Sequence, residues 1–85
     1  MTLIPFIFAS EAWTLMLYDT RDERTGEETY RAAAYVDSDP APRGPRRTWT
    51  VSRDGTLAPW GCRYEGDWPE LDASVAPIVK DWVAP

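Results

Sequence analysis

The chain lacks the side chains on which most enzyme chemistry depends. It contains no histidine, asparagine or glutamine, and it has one cysteine and one lysine. Histidine is the usual general base and proton carrier near neutral pH. Zinc sites and nucleophile–base pairs also need histidine or several cysteines. We therefore expect a protein that is not an enzyme and that binds no metal and no cofactor.

Cys62 is the remaining candidate nucleophile. Arg63 follows it directly, and a neighbouring cation favours the reactive thiolate. Because no histidine can serve as its base, we expect Cys62 to act as a small apolar side chain. One cysteine cannot form an internal disulfide, which favours a reducing, cytoplasmic compartment.

Acidic side chains form two clusters, one near the start of the predicted C-terminal helix and one in a charged turn. They are Glu65, Asp67, Glu70 and Asp72, and Asp22, Glu23, Glu27 and Glu28. Their spacing does not match a calcium-binding loop, and nothing in it distinguishes a glycosidase pair from surface charge. Asp67 and Glu70 flank Trp68, a combination typical of an aromatic anchor with a charged rim. Together the clusters could imitate a row of phosphates and bind the basic surface of a protein partner.

A basic segment supports an alternative hypothesis for the function. Arg43, Arg46, Arg47 and Arg53 give residues 40–53 a charge of +4, although the whole chain carries −5. Arginine forks suit phosphate and carboxylate, and nearby Trp49 could stack on a base. These residues indicate a small binder of single-stranded nucleic acid or of a phosphate ligand. The acidity of the chain as a whole makes direct binding of nucleic acid the less favoured hypothesis.

In size, acidity and absence of motifs, the chain resembles small phage-encoded inhibitors of host defence, including anti-CRISPR proteins. No residue pattern carries this likeness. It implies a non-enzymatic inhibitor that masks a basic nucleic-acid-binding surface of a protein partner. We expect no membrane association, because no stretch approaches the ~20 apolar residues of a spanning helix. A homodimer is left open, since an N-terminal edge strand could pair with a second copy.

Alternation of apolar and polar residues predicts a meander of strands. We expect strands over 3–9, 12–20 and 28–37, with Pro5 indicating an edge strand. Asp54-Gly55 predicts a hairpin turn within 47–58. Residues 38–46 are rich in proline and read as a loop, and we expect Pro59, Gly61 and Gly66 to break the chain beyond the hairpin.

The C-terminal residues change to helical spacing. Leu71, Val75, Ile78, Val79 and Trp82 recur at intervals of three and four. Because proline inside a helix costs ~3 kcal/mol or more, Pro77 favours a main helix over 74–83 with Ser74 as its cap, after a turn at 69–73. The expected fold is α+β: a single domain, residues 1–85, with a four- to five-stranded antiparallel sheet and one C-terminal α-helix packed on a face.

Overall fold

The chain folds into a five-stranded antiparallel sheet and one helix. The computed structural model describes residues 1–21, 24–26, 28–40, 43–62 and 66–84. The strands are β1 (Thr2–Phe8), β2 (Glu11–Arg21), β3 (Glu28–Val36), β4 (Arg47–Val51) and β5 (Leu57–Cys62), and the helix is α1 (Trp68–Val83). The strands lie side by side in chain order, so the sheet is a simple meander. The predicted α+β fold with a C-terminal helix is confirmed. The side chain of Cys62, and with it the expectation for that thiol, lies outside the described residues.

One face of the sheet forms the core against α1. The register aligns Leu15 with Ala34 and Leu17 with Ala32, so large and small side chains alternate across β2 and β3. The fully or almost fully buried cluster contains Trp13, Leu15, Leu17, Ala32, Ala34, Val36, Trp49, Val51, Leu71, Val75 and Val79. The last three recur every four residues along α1, which places them on one side of the helix.

The helix begins earlier than predicted. It starts at Trp68, with Asp67 at the N-cap position and Pro69 in the first turn, and it runs through Pro77 to Val83. The predicted start at Ser74 is therefore wrong. Pro77 is exposed, so its ring lies on the solvent side of the helix. The apolar stripe that begins at Leu71 holds the helix against the sheet despite the hydrogen bond that Pro77 cannot donate.

Strand β5 also departs from expectation, because Pro59 and Gly61 lie inside it instead of ending it. As an edge strand, β5 tolerates proline, which cannot donate to a neighbouring strand. Its pairing with β4 shifts from Thr48↔Gly61 to Trp49↔Pro59. Trp60 is thus the extra residue of a β-bulge, a device that redirects a side chain at a sheet edge.

The second face of the sheet is not covered by any helix in the described part of the chain. It carries Thr14, Met16 and Tyr18 of β2, which are half-buried, since side chains alternate between faces along a strand. Arg31 of β3 lies on the same face, opposite Tyr18. None of the described helical segments is long and apolar enough to cross a membrane.

Candidate functional site

An open concavity of about 730 Å³ lies at one end of the uncovered face. It forms where the β2–β3 and β4–β5 turns come to the same end of the meander. Its lining consists mostly of arginines and hydroxyl side chains: Thr20, Arg21, Arg24, Thr29, Arg31, Thr50, Val51, Ser52, Thr56 and Ala58. The three arginines supply the positive charge and the N–H donors that bind an anion. Of the five hydroxyls, those of Thr50 and Ser52 already donate within the protein, to the Ala58 backbone oxygen and to Asp54.

Arg31 lines this surface from β3, the central strand of the sheet. It projects from β3 between Tyr18 of β2 and Thr50 of β4, its partners in the two neighbouring strands. Its Nε is buried and has no hydrogen-bond acceptor among the described residues. A buried donor left without an acceptor costs roughly 1–3 kcal/mol, so such a group needs an explanation such as a bound water or ion.

Trp60 fixes the position of the Arg31 guanidinium. The guanidinium carbon lies 4.1 Å from the centre of the indole ring, a cation–π distance. Ala58 pairs with Thr50 on this face, and Trp60 follows two residues later, so alternation along β5 places Trp60 on the same face. Stacking occupies one flat face of a guanidinium and does not use its in-plane N–H groups, of which the Nε–H is buried here.

Arg21 and Arg24 contribute the remaining positive charge from the end of β2 and the turn that follows. Arg21 Nη2 lies 2.8 Å from Glu28 Oε1, and both side chains are about two-thirds exposed. An exposed ion pair of this kind contributes only about 0–1 kcal/mol. A better-placed anion could therefore replace Glu28 as the partner of Arg21.

The β4–β5 turn forms the opposite wall and is held by its own carboxylate. Ser52 Oγ donates a short hydrogen bond to Asp54 Oδ1, and the Thr56 amide donates to the same oxygen at 3.0 Å. These hydrogen bonds, with that of Ser52 the largest contribution, lower the pKa of Asp54 to about 2. Asp54 is therefore ionised at neutral pH and orders the Ser52 and Thr56 hydroxyls.

Two of the four arginines in the basic segment are paired with carboxylates. Arg47 is buried and donates to Asp72 through Nε and Nη2, at 2.9 and 3.0 Å. Arg46 makes the same two-point contact with Asp39, at 2.9 and 2.7 Å. Arg53 is exposed and its Nε lies 3.4 Å from the backbone oxygen of Glu28. Arg43 is exposed in the loop before β4. The structure does not bring the four together as one basic surface.

Asp72 links the helix to the sheet. Besides Arg47, it accepts a 2.7 Å hydrogen bond from Trp49 Nε1. The Arg47 guanidinium also lies 4.6 Å from the Trp68 ring centre. Asp72 and Trp68, two residues of the predicted acidic interface, are therefore engaged in contacts between α1 and β4.

The other predicted acidic residues are distributed differently. Asp67 and Glu70 are exposed at the start of α1, and Asp67 makes no side-chain capping hydrogen bond. Glu28 is exposed and paired with Arg21. The remaining four, Asp22, Glu23, Glu27 and Glu65, lie outside the described residues. Among the described side chains, no group of three or more acidic or cysteine ligands is placed to hold a metal ion.

Sequence reasoning missed the concavity because its arginines lie in different segments. Arg21 and Arg24 read as part of a charged turn, and Arg31 is a lone cation in an apolar strand. The alternation of side chains along β3 did give one indication of this site. Arg31 falls on the face opposite Ala32 and Ala34, and therefore away from the core.

Comparison of the chain with protein-family models, curated proteins and solved structures finds no match.

Proposed function

We propose that this protein is a non-enzymatic binding protein that takes a phosphate-bearing ligand in the concavity around Arg31. The observation that supports it is the convergence of Arg31 with Arg21 and Arg24 in one concave surface that also carries hydroxyl side chains. Arginine forks bind phosphate through paired hydrogen bonds, and a hydroxyl adds a donor only where its proton is not already used within the protein. The proposal keeps the ligand class expected for the basic segment and places it on other residues.

Calorimetric titration with inorganic pyrophosphate at low ionic strength tests this function. The unmodified protein should bind, and Arg31→Met should weaken binding at least tenfold, because a charge-assisted contact contributes roughly 1.5–3 kcal/mol. Arg43→Met is the matched control: Arg43 is exposed and does not line the concavity, so its loss should leave affinity within about twofold. Raising the salt concentration should weaken binding in all three proteins.

Absence of pyrophosphate binding by the folded, unmodified protein would overturn the proposal. Equal losses in the Arg31 and Arg43 variants would also contradict it, since they would indicate attraction by net positive charge without a defined site. Circular dichroism of each variant establishes that the sheet is intact.

The acidic inhibitor stays a second proposal, in which the protein masks a basic nucleic-acid-binding surface of a partner, as the anti-CRISPR-like reading implies. Asp67 and Glu70 support it, since they are exposed side by side at the start of α1 next to the half-buried Trp68. The double variant Asp67→Asn, Glu70→Gln should lose capture of nucleic-acid-binding proteins from a bacterial lysate. Unchanged capture would count against this role.

A further inference from the structure

We infer that the ligand of the concavity is a nucleotide, with its phosphates among the arginines and its base stacked on Trp60. This inference rests on the proposed phosphate-binding function and names the ligand class more closely. It applies equally to a free nucleotide and to the end of a single strand, because the phosphate and the planar base are common to both.

The size of the concavity is the first argument. Its volume of about 730 Å³ lies within the roughly 300–1,000 Å³ of sites for small organic ligands. A single inorganic phosphate would fill a small part of it. The space therefore suits a phosphate that carries a larger group.

The second argument is the exposed aromatic ring beside the cations. Trp60 is 57% exposed, whereas Trp13 and Trp49 are fully buried. Trp60 does not line the concavity itself, but Arg31, which does, covers one face of its indole. The exposed remainder of the ring gives a base a surface on which to stack beside the concavity. Exposed tryptophan next to arginine is the combination by which proteins bind bases without reading their sequence.

The third argument is the arrangement of rings around Arg31. Tyr18 pairs with Arg31 from β2 and lies on the same open face, while Trp60 approaches it from the side of β5. Arg31 therefore has an aromatic side chain on each side along the sheet. A phosphate bound by Arg31 would place an attached base within reach of a ring.

The acidity of the chain does not oppose a short ligand. At physiological ionic strength the screening length is about 8 Å, so nearby charges dominate: three arginines line the concavity, with Glu28 and Asp54 beside them. A long nucleic acid would meet the net charge of −5. The inference is therefore of one or a few nucleotides.

Calorimetry with pyrophosphate, adenosine diphosphate and a single-stranded DNA hexamer tests the inference on the unmodified protein, Trp60→Leu and Trp60→Phe. Adenosine diphosphate should bind about tenfold or more tightly than pyrophosphate, as expected for one stacked base. Trp60→Leu should remove that difference, and Trp60→Phe, which retains a ring, should restore part of it. Tighter binding of the hexamer than of the diphosphate would support the inference and identify a strand as the source.

Equal affinity for pyrophosphate and adenosine diphosphate would overturn the inference and leave phosphate binding intact. An equal loss of affinity for pyrophosphate and adenosine diphosphate in Trp60→Leu would also overturn the inference, because Trp60 would then only position Arg31. Failure of all three ligands to bind would instead contradict the proposed function itself.

Discussion

Asp72 shows how a single side chain connects two layers of this protein. It accepts hydrogen bonds from Arg47 and from the Trp49 indole, and so joins α1 to β4. Arg47 is 8% exposed as a side chain and Asp72 31%. A buried pair of this kind adds little net stability when complete, but removing one partner leaves a charge uncompensated.

We predict that Asp72→Ala lowers the free energy of unfolding by on the order of 3 kcal/mol, because the Arg47 charge and the Trp49 N–H lose their acceptor. Glu70→Ala is the matched control, an exposed acid in the same turn of α1, and should cost less than about 1 kcal/mol. Denaturant unfolding measures both. Equal losses would show that Asp72 contributes as surface charge alone.

The β4–β5 turn depends on glycine for two separate reasons. Gly55 has φ +89°, and a Cβ there would lie 3.0 Å from Lys80 Cγ and 3.1 Å from Val83 Cγ2. Gly26 also has a positive φ, +71°, but a Cβ there would meet nothing within 4 Å. The two positions share the backbone requirement and differ in the contact with α1.

We predict that Gly26→Ala costs about 1–2 kcal/mol of stability, the usual penalty of a side chain in the left-handed region. Gly55→Ala should cost about 1–3 kcal/mol more, since the added methyl displaces the end of α1. Thermal or denaturant unfolding of the two variants measures how much stability is lost through the contact of residue 55 with α1. A Gly55 variant no less stable than the Gly26 variant would contradict the close packing of the turn on the helix.

Strands and core could be predicted because their signals are local. Trp13, Leu15 and Leu17 alternate, and Asp54-Gly55 indicates a turn. The start of α1 and the extent of β5 could not be predicted, because tertiary contacts determine both. The buried Leu71 extends α1 on the N-terminal side of the predicted start at Ser74, and an edge position tolerates Pro59 in β5.

The concavity was beyond sequence reasoning for a different reason. Arg31 and Trp60 are 29 positions apart in the chain, and the pairing of β3, β4 and β5 in one sheet brings them into contact. The same applies to Arg47, which reads as part of a basic segment until its partner Asp72 is seen. Pairings between distant residues cannot be deduced from composition or spacing.

In the whole molecule, the two faces of the sheet carry different kinds of side chains. One face packs against α1 through the buried cluster. The ion pair between Arg47 and Asp72 joins the sheet to the helix on this face. The other face presents Arg31, Trp60 and the concavity. Substitutions in the first group should therefore change stability, and substitutions in the second should change ligand binding at nearly constant stability.

The most direct test of phosphate binding follows the Arg31 Nε–Hε signal by nuclear magnetic resonance during titration with pyrophosphate. We expect this signal to shift saturably, since a phosphate bound to the Arg31 guanidinium changes the surroundings of Nε, while the Arg43 signal stays nearly constant. An Arg31 signal that does not move, in a protein whose other resonances show it to be folded, would contradict phosphate binding at Arg31.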